Sequence, residues 1–175
     1  MNKYIFFPGI SILKESEVML MNRKDLWVLA LLRKDCRITL TDISRTTKIP
    51  ISTLYDRLKN LDKSIIKRKA AMIDFSKIGF VVKSQVVFAV ERAQKEEFAN
   101  YLRMSINVNS LYRINNGYDY MAELLHRDLS ELESFMDKLN SKFKIKDKKV
   151  FFIIEEMKKE EFLADDKALD LLEST

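Results

Sequence analysis

The apolar positions in the first half of the chain repeat with helical spacing. In residues 49–61, IPISTLYDRLKNL, three leucines recur at i, i+4 and i+7 and predict one buried helical stripe. The stripe consists of Leu54, Leu58 and Leu61. Two helices are predicted before it: one is capped by Asn22, runs to about residue 34 and has its core closed by Trp27, and a shorter one is capped by Thr41. Three short helices joined by tight turns are the layout of a helix-turn-helix.

The second half of the chain follows a different pattern. Residues 82–90, VKSQVVFAV, alternate with a period of two and predict a half-buried strand. Further segments read in order as a helix (96–104), two extended runs (110–115 and 118–126), a helix (128–139) and a strand (150–154). Asn116 and Gly117 separate the two extended runs and are typical of a hairpin turn. The order strand, helix, strand, strand, helix, strand predicts a ferredoxin-like βαββαβ domain.

The predicted fold class is therefore α+β, with an N-terminal helix-turn-helix domain of the winged type before the ferredoxin-like domain. Ile65 and Ile66 begin a strand-like segment that is short enough to be a small wing or hairpin. Residues 155–172, rich in Glu, Lys, Ala and Leu, predict an extra C-terminal helix. The predicted divisions are an N-terminal arm or mis-assigned start (1–21), the helix-turn-helix (22–69), a connector (70–79), the ferredoxin-like domain (80–154) and the C-terminal helix (155–175).

Charge is concentrated in the predicted helix-turn-helix. The 175 residues carry a net charge of +5, but residues 22–69 alone hold 13 Lys and Arg against 5 Asp and Glu, so the remainder is acidic. Such a local excess indicates a polyanion partner for this region, although a merely solvated helical surface would also look like this.

Composition excludes several classes of function. Cys36 is the only cysteine and His126 the only histidine, so we expect no intramolecular disulfide, no metal site and no bound cofactor. No segment approaches the roughly 20 apolar residues of a membrane span, and the sequence predicts a cytoplasmic protein without a membrane partner. We find no glycine-rich phosphate loop and no catalytic triad, and we expect that the protein is not an enzyme.

The polar face of the third predicted helix is the candidate DNA-binding surface. The small hydroxyls at its start permit close approach to base edges, and the basic residues that follow would reach phosphates. The candidate contacts are Ser52, Thr53, Tyr55, Arg57, Lys59, Lys63, Lys67, Arg68 and Lys69. The alternative is a three-helix core in which Ser52 only begins a helix.

These motifs resemble a known family. The segment DLWVLALLRKDCRITLTDIS, followed by STLYDRLKNL and SIIKRKAAMIDFSKIGF, is similar to the N-terminal half of the Lrp/AsnC transcription regulators. The hairpin Asn116-Gly117-Tyr118-Asp119-Tyr120 is similar to the glycine-aspartate-tyrosine-aspartate-tyrosine hairpin of their βαββαβ effector-binding domain. The resemblance covers roughly residues 22–154. It implies a sequence-specific transcription regulator that binds double-stranded DNA and responds to a small effector such as an amino acid.

Single positions carry further implications of the resemblance. Arg37 matches a family position, where its side chain would contact a phosphate or make an inter-helix hydrogen bond. Pro50 stands where the family usually has a hydroxyl N-cap, and Gly117 replaces an aspartate, which leaves Asp119 as the only acid of the turn. The five hairpin residues are the candidate effector site, and a purely structural hairpin with aromatic packing is the alternative.

Apolar sheet residues predict self-association. More apolar sheet surface is present than one pair of helices obviously covers, which indicates a homodimer at least and a higher homo-oligomer as an extension. The residues on which this rests are Val86, Phe88, Tyr120, Phe152 and Ile154. Two alternatives to the regulator remain: a chromosome-organising DNA-binding protein of the same family, and an enzyme that resembles the siroheme decarboxylases built on this two-domain plan.

Overall fold

The computed structural model describes residues 21–164 and divides into two compact units. Residues 21–72 and 157–164 form a helical unit with three helices: α1 (Arg23–Lys34), α2 (Leu40–Thr47) and α3 (Ile51–Ser64). Its buried core, drawn from all three helices and the turn before α3, consists of Val28, Leu29, Ile43, Ile49, Leu54 and Leu61. The predicted stripe of α3 is confirmed, since Leu54 and Leu61 are buried and Leu58 packs against the same core.

Local hydrogen bonds set the helix ends. The side chain of Asn22 caps α1 by accepting from the Asp25 N–H at 2.9 Å, as the sequence predicts. The predicted Thr41 cap of α2 is wrong by two residues, because the Thr39 hydroxyl accepts from the Asp42 N–H at 3.1 Å. Pro50 precedes α3 and supplies no side-chain cap.

The segment after α3 differs from the prediction. No strand forms in residues 65–74. The N–H groups of Ile65 and Ile66 both donate to the Leu61 carbonyl at 2.9 Å, so these two residues close the end of α3 and do not begin a strand. Their side chains pack on the helical core. Trp27, expected to close that core, is half-buried and lies outside the cluster.

Residues 73–156 form the second unit, a four-stranded antiparallel sheet with two helices. Its elements follow the predicted order: β1 (Val82–Val90), α4 (Lys95–Met104), β2 (Val108–Arg113), β3 (Tyr120–His126), α5 (Leu129–Lys142) and β4 (Ile145–Phe152). The strands lie in the order β2-β3-β1-β4, which is the ferredoxin-like arrangement. One 3-10 turn, Phe75–Ile78, precedes β1 where the connector was predicted, and a second, Arg92–Gln94, leads into α4.

Alternation along β1 separates a helix-covered face from an uncovered one. Val86 and Phe88 are fully buried with the core residues of α4 and α5, and Tyr120 joins them from β3. The predicted surplus of apolar sheet surface therefore does not include these three residues, which the helices cover. Phe152 and Ile154 do remain exposed. Strand periodicity places a different set, Val87, Met121 and Phe151, on the opposite face. There Val87 lies directly across from Met121, and Phe151 lies across from Gln85.

The predicted C-terminal helix is wrong for residues 155–164, which are not helical. The Arg33 guanidinium donates hydrogen bonds to the carbonyls of Glu160 and Phe162 at 2.7 and 3.1 Å, and these contacts hold the segment in a non-helical conformation. Glu160 and Leu163 also have positive φ angles, which interrupt a helix. The remainder of that prediction, residues 165–175, and residues 1–20 of the predicted arm (1–21) lie outside the described residues. Within the described part of the chain, none of the helices has the length and apolar character needed to span a bilayer.

Candidate nucleic-acid interface and ligand cleft

Most of the predicted DNA contacts on α3 are exposed to solvent on the outer face of this helix. Ser52, Thr53, Lys59 and Lys63 are exposed, and Tyr55 is 61% exposed. On the opposite side of the same helix the leucine stripe is anchored in the core. A helix held by one face and presenting small hydroxyls, an aromatic ring and lysines on the other can enter a groove of DNA and contact its phosphates.

The basic run after α3 also lies at the surface. Lys67, Arg68 and Lys69 are all exposed. Lys69 forms an ion pair with Asp62 on α3, with Nζ 2.9 Å from Oδ1, so part of its charge is neutralised locally. The run therefore extends the positive surface beyond the end of α3.

Arg57 differs from the other predicted contacts. Its guanidinium forms an ion pair with Asp25 on α1, and its Nη1 also donates to the Asn22 side-chain oxygen at 3.3 Å. At about 100° per residue, Arg57 is only about 60° around the helix from Leu54. It borders the buried stripe, and 29% of its side chain is exposed. The structure therefore turns this guanidinium toward α1 and away from the outer face.

Arg37 lies in the turn between α1 and α2. Its backbone N–H donates to the Asp35 carboxylate at 2.8 Å, and its side chain is exposed. The side chain makes no hydrogen bond to any residue that the structure describes, so the inter-helix hydrogen bond is not formed. A phosphate contact is the alternative that remains.

The predicted hairpin is formed between β2 and β3. Asn116 and Gly117 both have positive φ, 65° and 90°, so asparagine replaces the family glycine in a left-handed conformation that it tolerates. The turn closes through a hydrogen bond of 2.9 Å from the Ile114 N–H to the Asp119 carbonyl. Asn116 and Gly117 are both exposed at the turn.

The carboxylate of Asp119 makes a hydrogen bond and an ion pair within the sheet unit. Its Oδ2 accepts from the Val90 N–H at 2.9 Å, and its Oδ1 pairs with the Lys95 ammonium at the start of α4. Burial favours a higher pKa for Asp119, but the hydrogen bonds from Lys95 and Val90 outweigh it, and the pKa of this carboxyl lies below its ordinary value. The single acid of the turn therefore holds the hairpin against β1 and α4.

The two hairpin tyrosines also have partners within the unit. The Tyr118 hydroxyl donates to the Asp147 carboxylate at 2.7 Å, and the Lys149 ammonium lies 5.5 Å from the Tyr118 ring centre. The hydrogen bond with Tyr118 raises the pKa of Lys149. Tyr120 is buried, and its hydroxyl donates to the Lys95 carbonyl at 3.0 Å. These contacts match the alternative of a structural hairpin with aromatic packing.

An open cleft of about 330 Å³ lies beside the hairpin, between α4 and β2. Its lining combines two guanidinium groups, one carboxylate, one phenol and two apolar side chains. The lining residues are Glu96, Ala99, Arg103, Leu111, Arg113 and Tyr120. Burial, with the nearby Glu96 carboxylate, raises the pKa of Tyr120. A cleft with both charge signs and apolar walls can hold a small zwitterion.

Sequence reasoning identified only Tyr120 among these lining residues. A signal was present, because Glu96, Ala99 and Arg103 are spaced as one helix face and Leu111 and Arg113 as one strand face. Neither pattern indicates that the two faces meet, so the cleft follows only from the fold.

The single histidine is buried in the sheet unit. His126 is 1% exposed, its ring lies 5.5 Å from that of Phe135, and neither ring nitrogen has a hydrogen-bond partner among residues 21–164. Burial lowers its pKa, although Glu131 and Asp128 act in the opposite direction. Among the described residues no group of histidine, cysteine and acidic side chains is arranged to hold a metal ion.

Comparison with known families matches both units. Residues 21–64 match the family described as winged helix-turn-helix DNA-binding, and residues 85–162 match the Lrp/AsnC ligand binding domain. Among curated proteins, the HTH-type transcriptional regulator LrpC of Bacillus subtilis is 28% identical over 121 residues, which cover 69% of this chain and 84% of LrpC. The HTH-type transcriptional regulator FL11 of Pyrococcus furiosus is 25% identical over 115 residues, covering 65% of this chain and 76% of FL11.

Solved structures share the fold. LrpC of Bacillus subtilis superposes with a TM-score of 0.73 at 26% identity, covering 80% of this chain and 99% of that protein. The transcriptional regulator NMB0573 of Neisseria meningitidis, solved as a complex with L-Met, superposes with a TM-score of 0.75 at 22% identity, covering 79% of this chain and 93% of its own. The second likeness, at this identity, concerns the fold alone.

Proposed function

We propose, from the premise that this chain belongs to the Lrp/AsnC family of transcription regulators, that it reads specific double-stranded DNA sites through the outer face of α3 in the cytoplasm. The observation that carries this proposal is the two-sided character of α3. Leu54 and Leu61 anchor the helix in the core, while Ser52, Thr53 and Tyr55 stand exposed at its first turns. Side chains in this position of a recognition helix reach base edges in the major groove.

Basic residues around this face supply affinity in the proposal. Lysine and arginine side chains that neutralise phosphates release counterions and make binding steeply dependent on salt. The residues proposed for these contacts are Arg37, Lys59, Lys63, Lys67, Arg68 and Lys69, all exposed. They orient the protein on the duplex, and the hydroxyls and Tyr55 select the sequence.

We propose that two copies pair through the sheet face opposite α4 and α5. Three apolar side chains lie near one another on this face: Val87 is directly across from Met121, and Phe151 is diagonal to Val87, across from Gln85. Burying these side chains against a second copy removes them from water, and a two-fold dimer presents two copies of α3 to two half-sites. The expected DNA site is therefore a near-palindrome.

A small ligand is proposed to bind in the cleft between α4 and β2. In this proposal the hairpin residues hold the walls of the cleft in place, because Asp119, Tyr118 and Tyr120 already hydrogen-bond within the sheet unit. An amino acid fits the charges of the cleft: its carboxylate would pair with Arg103 or Arg113, and its ammonium with Glu96. The L-Met complex of the Neisseria meningitidis relative supports this ligand class.

The DNA proposal is tested by selection followed by binding. The full-length protein selects duplexes from a randomised pool, and fluorescence anisotropy compares one selected duplex with its shuffled sequence at several salt concentrations. We expect the selected duplex to bind more than about tenfold tighter, or about 1.4 kcal/mol. Tyr55→Ala should reduce this preference, whereas Lys59→Ala should weaken both duplexes and lower the salt dependence.

A matched lysine variant controls for general loss of charge. Lys138 is exposed on α5, outside the proposed interface, and Lys138→Ala should bind as the wild type does. If both duplexes bound with equal affinity, and that affinity fell steeply with salt, the chromosome-organising alternative would be favoured instead. An absence of DNA binding together with tight tetrapyrrole binding would favour the decarboxylase-like enzyme.

The ligand proposal is tested by calorimetry with a panel of free amino acids. A ligand held in the cleft should bind the wild type and lose at least tenfold affinity in Arg113→Ala. Arg92→Ala, which removes an exposed guanidinium from the turn before α4, is the matched control. Equal losses in both variants would exclude the cleft.

A further inference from the structure

We infer that Arg57 is a positioning residue of the recognition helix: it acts through Asp25 to fix how α3 is held against α1, and it does not contact DNA. This inference rests on the proposed reading of DNA by α3. Sequence reasoning placed Arg57 among the DNA contacts because it lies in the polar part of that helix. The contacts of its guanidinium assign it the opposite orientation.

The guanidinium is enclosed by the first turn of α1. It pairs with the Asp25 carboxylate, and its Nη1 reaches the Asn22 side-chain oxygen at 3.3 Å. The side chains of Arg57 and Asp25 are 29% and 21% exposed, so most of the pair is shielded from water. The Arg57 Nε is fully buried, which leaves this donor out of reach of a phosphate.

Asn22 and Asp25 each have two roles in this contact. The Asn22 oxygen caps α1 by accepting from the Asp25 N–H at 2.9 Å and also accepts from Arg57. A cation at a helix N-terminus is unfavourable because of the helix dipole, and the Asp25 carboxylate offsets this cost. The contact therefore joins the start of α1 to the middle of α3 through a network in which removal of one charge leaves the other shielded and unpaired.

The place of Arg57 on α3 means that its contact with Asp25 can affect how the start of the helix meets DNA. Arg57 lies one to two turns after Ser52 and Thr53 and next to the buried stripe. A small rotation of α3 about its leucine anchors would shift the exposed side chains of its first turns relative to the bases. Misplacing them would reduce discrimination between sequences more than it reduces general attraction to DNA.

The two roles for Arg57 make opposite predictions for its acidic partner. If Arg57 contacted DNA, Asp25 would compete with phosphate, and Asp25→Asn would strengthen binding. If Arg57 positions α3, Asp25→Asn weakens binding to the selected duplex although it removes a negative charge. Asp56 offers a matched control, since it is an exposed acid on α3 that makes no ion pair with any residue in the described part of the chain.

The experiment measures the affinity of full-length Asp25→Asn, Asp56→Asn and Arg57→Ala for the selected and shuffled duplexes across salt. We expect Asp25→Asn to bind the selected duplex at least fivefold more weakly than the wild type, whereas Asp56→Asn, which removes a negative charge from the outer face of α3, should bind at least as tightly as the wild type. Arg57→Ala should lose the preference for the selected duplex while its salt slope stays unchanged. Loss of a phosphate contact would instead weaken both duplexes alike and reduce the slope by about one.

Two further measurements separate this inference from folding defects and from the proposed function. The charge-exchanged variant Asp25→Arg/Arg57→Asp should recover part of the lost preference if the pair acts structurally, and should be the weakest binder if Arg57 touches DNA. Hydrogen exchange of α3 needs no DNA and should accelerate at least tenfold in Asp25→Asn but not in Asp56→Asn. Affinity of Asp25→Asn equal to or above that of the wild type, or unchanged exchange, would overturn the inference. If even the wild type fails to select DNA, the proposed function fails and exchange alone decides the role of the pair.

Discussion

Removing the carboxylate of Asp119 should destabilise the sheet unit far more than removing an exposed neighbour. Asp119→Ala removes two interactions: the hydrogen bond that the Val90 N–H donates to the carboxylate, and the ion pair of the carboxylate with Lys95. A hydrogen bond to a charged group contributes about 1.5–3 kcal/mol. The Lys95 side chain is 34% exposed and recovers water, so we assign its pair less than about 1 kcal/mol. The expected loss for Asp119→Ala is therefore about 1.5–4 kcal/mol.

The amide variant separates the two contributions. Asp119→Asn keeps an oxygen that can accept from the Val90 N–H, and it loses mainly the ion pair, so the expected loss is about 1 kcal/mol. Because the pKa of Asp119 is lowered in the folded state, its contribution is present above the ordinary carboxyl pKa and is lost as pH falls below it. The gap between wild type and Asp119→Asn should close in that acidic range.

Hydrogen exchange of β1 and β3 is the assay, since it reports on the sheet unit without interference from the helical one. Asp147→Ala is the matched control, because Asp147 is an exposed acid that accepts one hydrogen bond from Tyr118. We expect it to change stability by less than about 0.5 kcal/mol. If Asp119→Ala were no more destabilising than Asp147→Ala, the structural role of this carboxylate would be refuted and a ligand role for the hairpin restored.

Three further predictions concern other parts of the molecule. Since burial lowers the folded-state pKa of His126, the unfolded chain takes up its proton first, and stability should fall as pH drops below about 6.5; His126→Leu should flatten this dependence in urea unfolding between pH 5 and 7.5. Arg33→Ala should increase limited-proteolysis cleavage within residues 157–164, mapped by mass spectrometry, with little change in α1, because it removes the hydrogen bonds from the guanidinium to the carbonyls of Glu160 and Phe162. Leu54→Ala should destabilise the helical unit by about 2–5 kcal/mol, followed by Trp27 fluorescence, because Leu54 is fully buried.

Each of these has a contrary outcome. A pH dependence that persists in His126→Leu would assign it to other groups. Unchanged cleavage in Arg33→Ala would mean that the guanidinium does not hold residues 157–164. A loss in Leu54→Ala no greater than that in Tyr55→Ala, which removes an exposed ring from the same helix, would contradict the orientation of α3.

The sequence correctly predicted the features that are set within a single helix, strand or turn. The leucine spacing of α3, the alternation of β1 and the Asn116-Gly117 turn each follow from local backbone geometry, and the structure confirms all three. The order of elements in the second unit was accessible for the same reason. These features need no knowledge of what packs against them.

Features that depend on a distant partner were not accessible. Arg57 was assigned to the DNA face, although Asp25, 32 positions earlier, turns it inward. Residues 155–164 have the composition of a helix, but Arg33 binds their carbonyls. The cleft needs α4 and β2 to meet, which neither spacing reveals. In each case a long-range contact outweighs local propensity.

The helical unit is discontinuous in sequence, and this has a consequence for how the protein is made. Residues 157–164 belong to the same unit as residues 21–72, and the whole sheet unit lies between them. A ribosome must therefore synthesise residues 73–156 before it reaches the last described segment of the helical unit. Until then Arg33 lacks the carbonyls of Glu160 and Phe162. The unit proposed to read DNA is begun first during translation but completed only after the sheet unit has been synthesised.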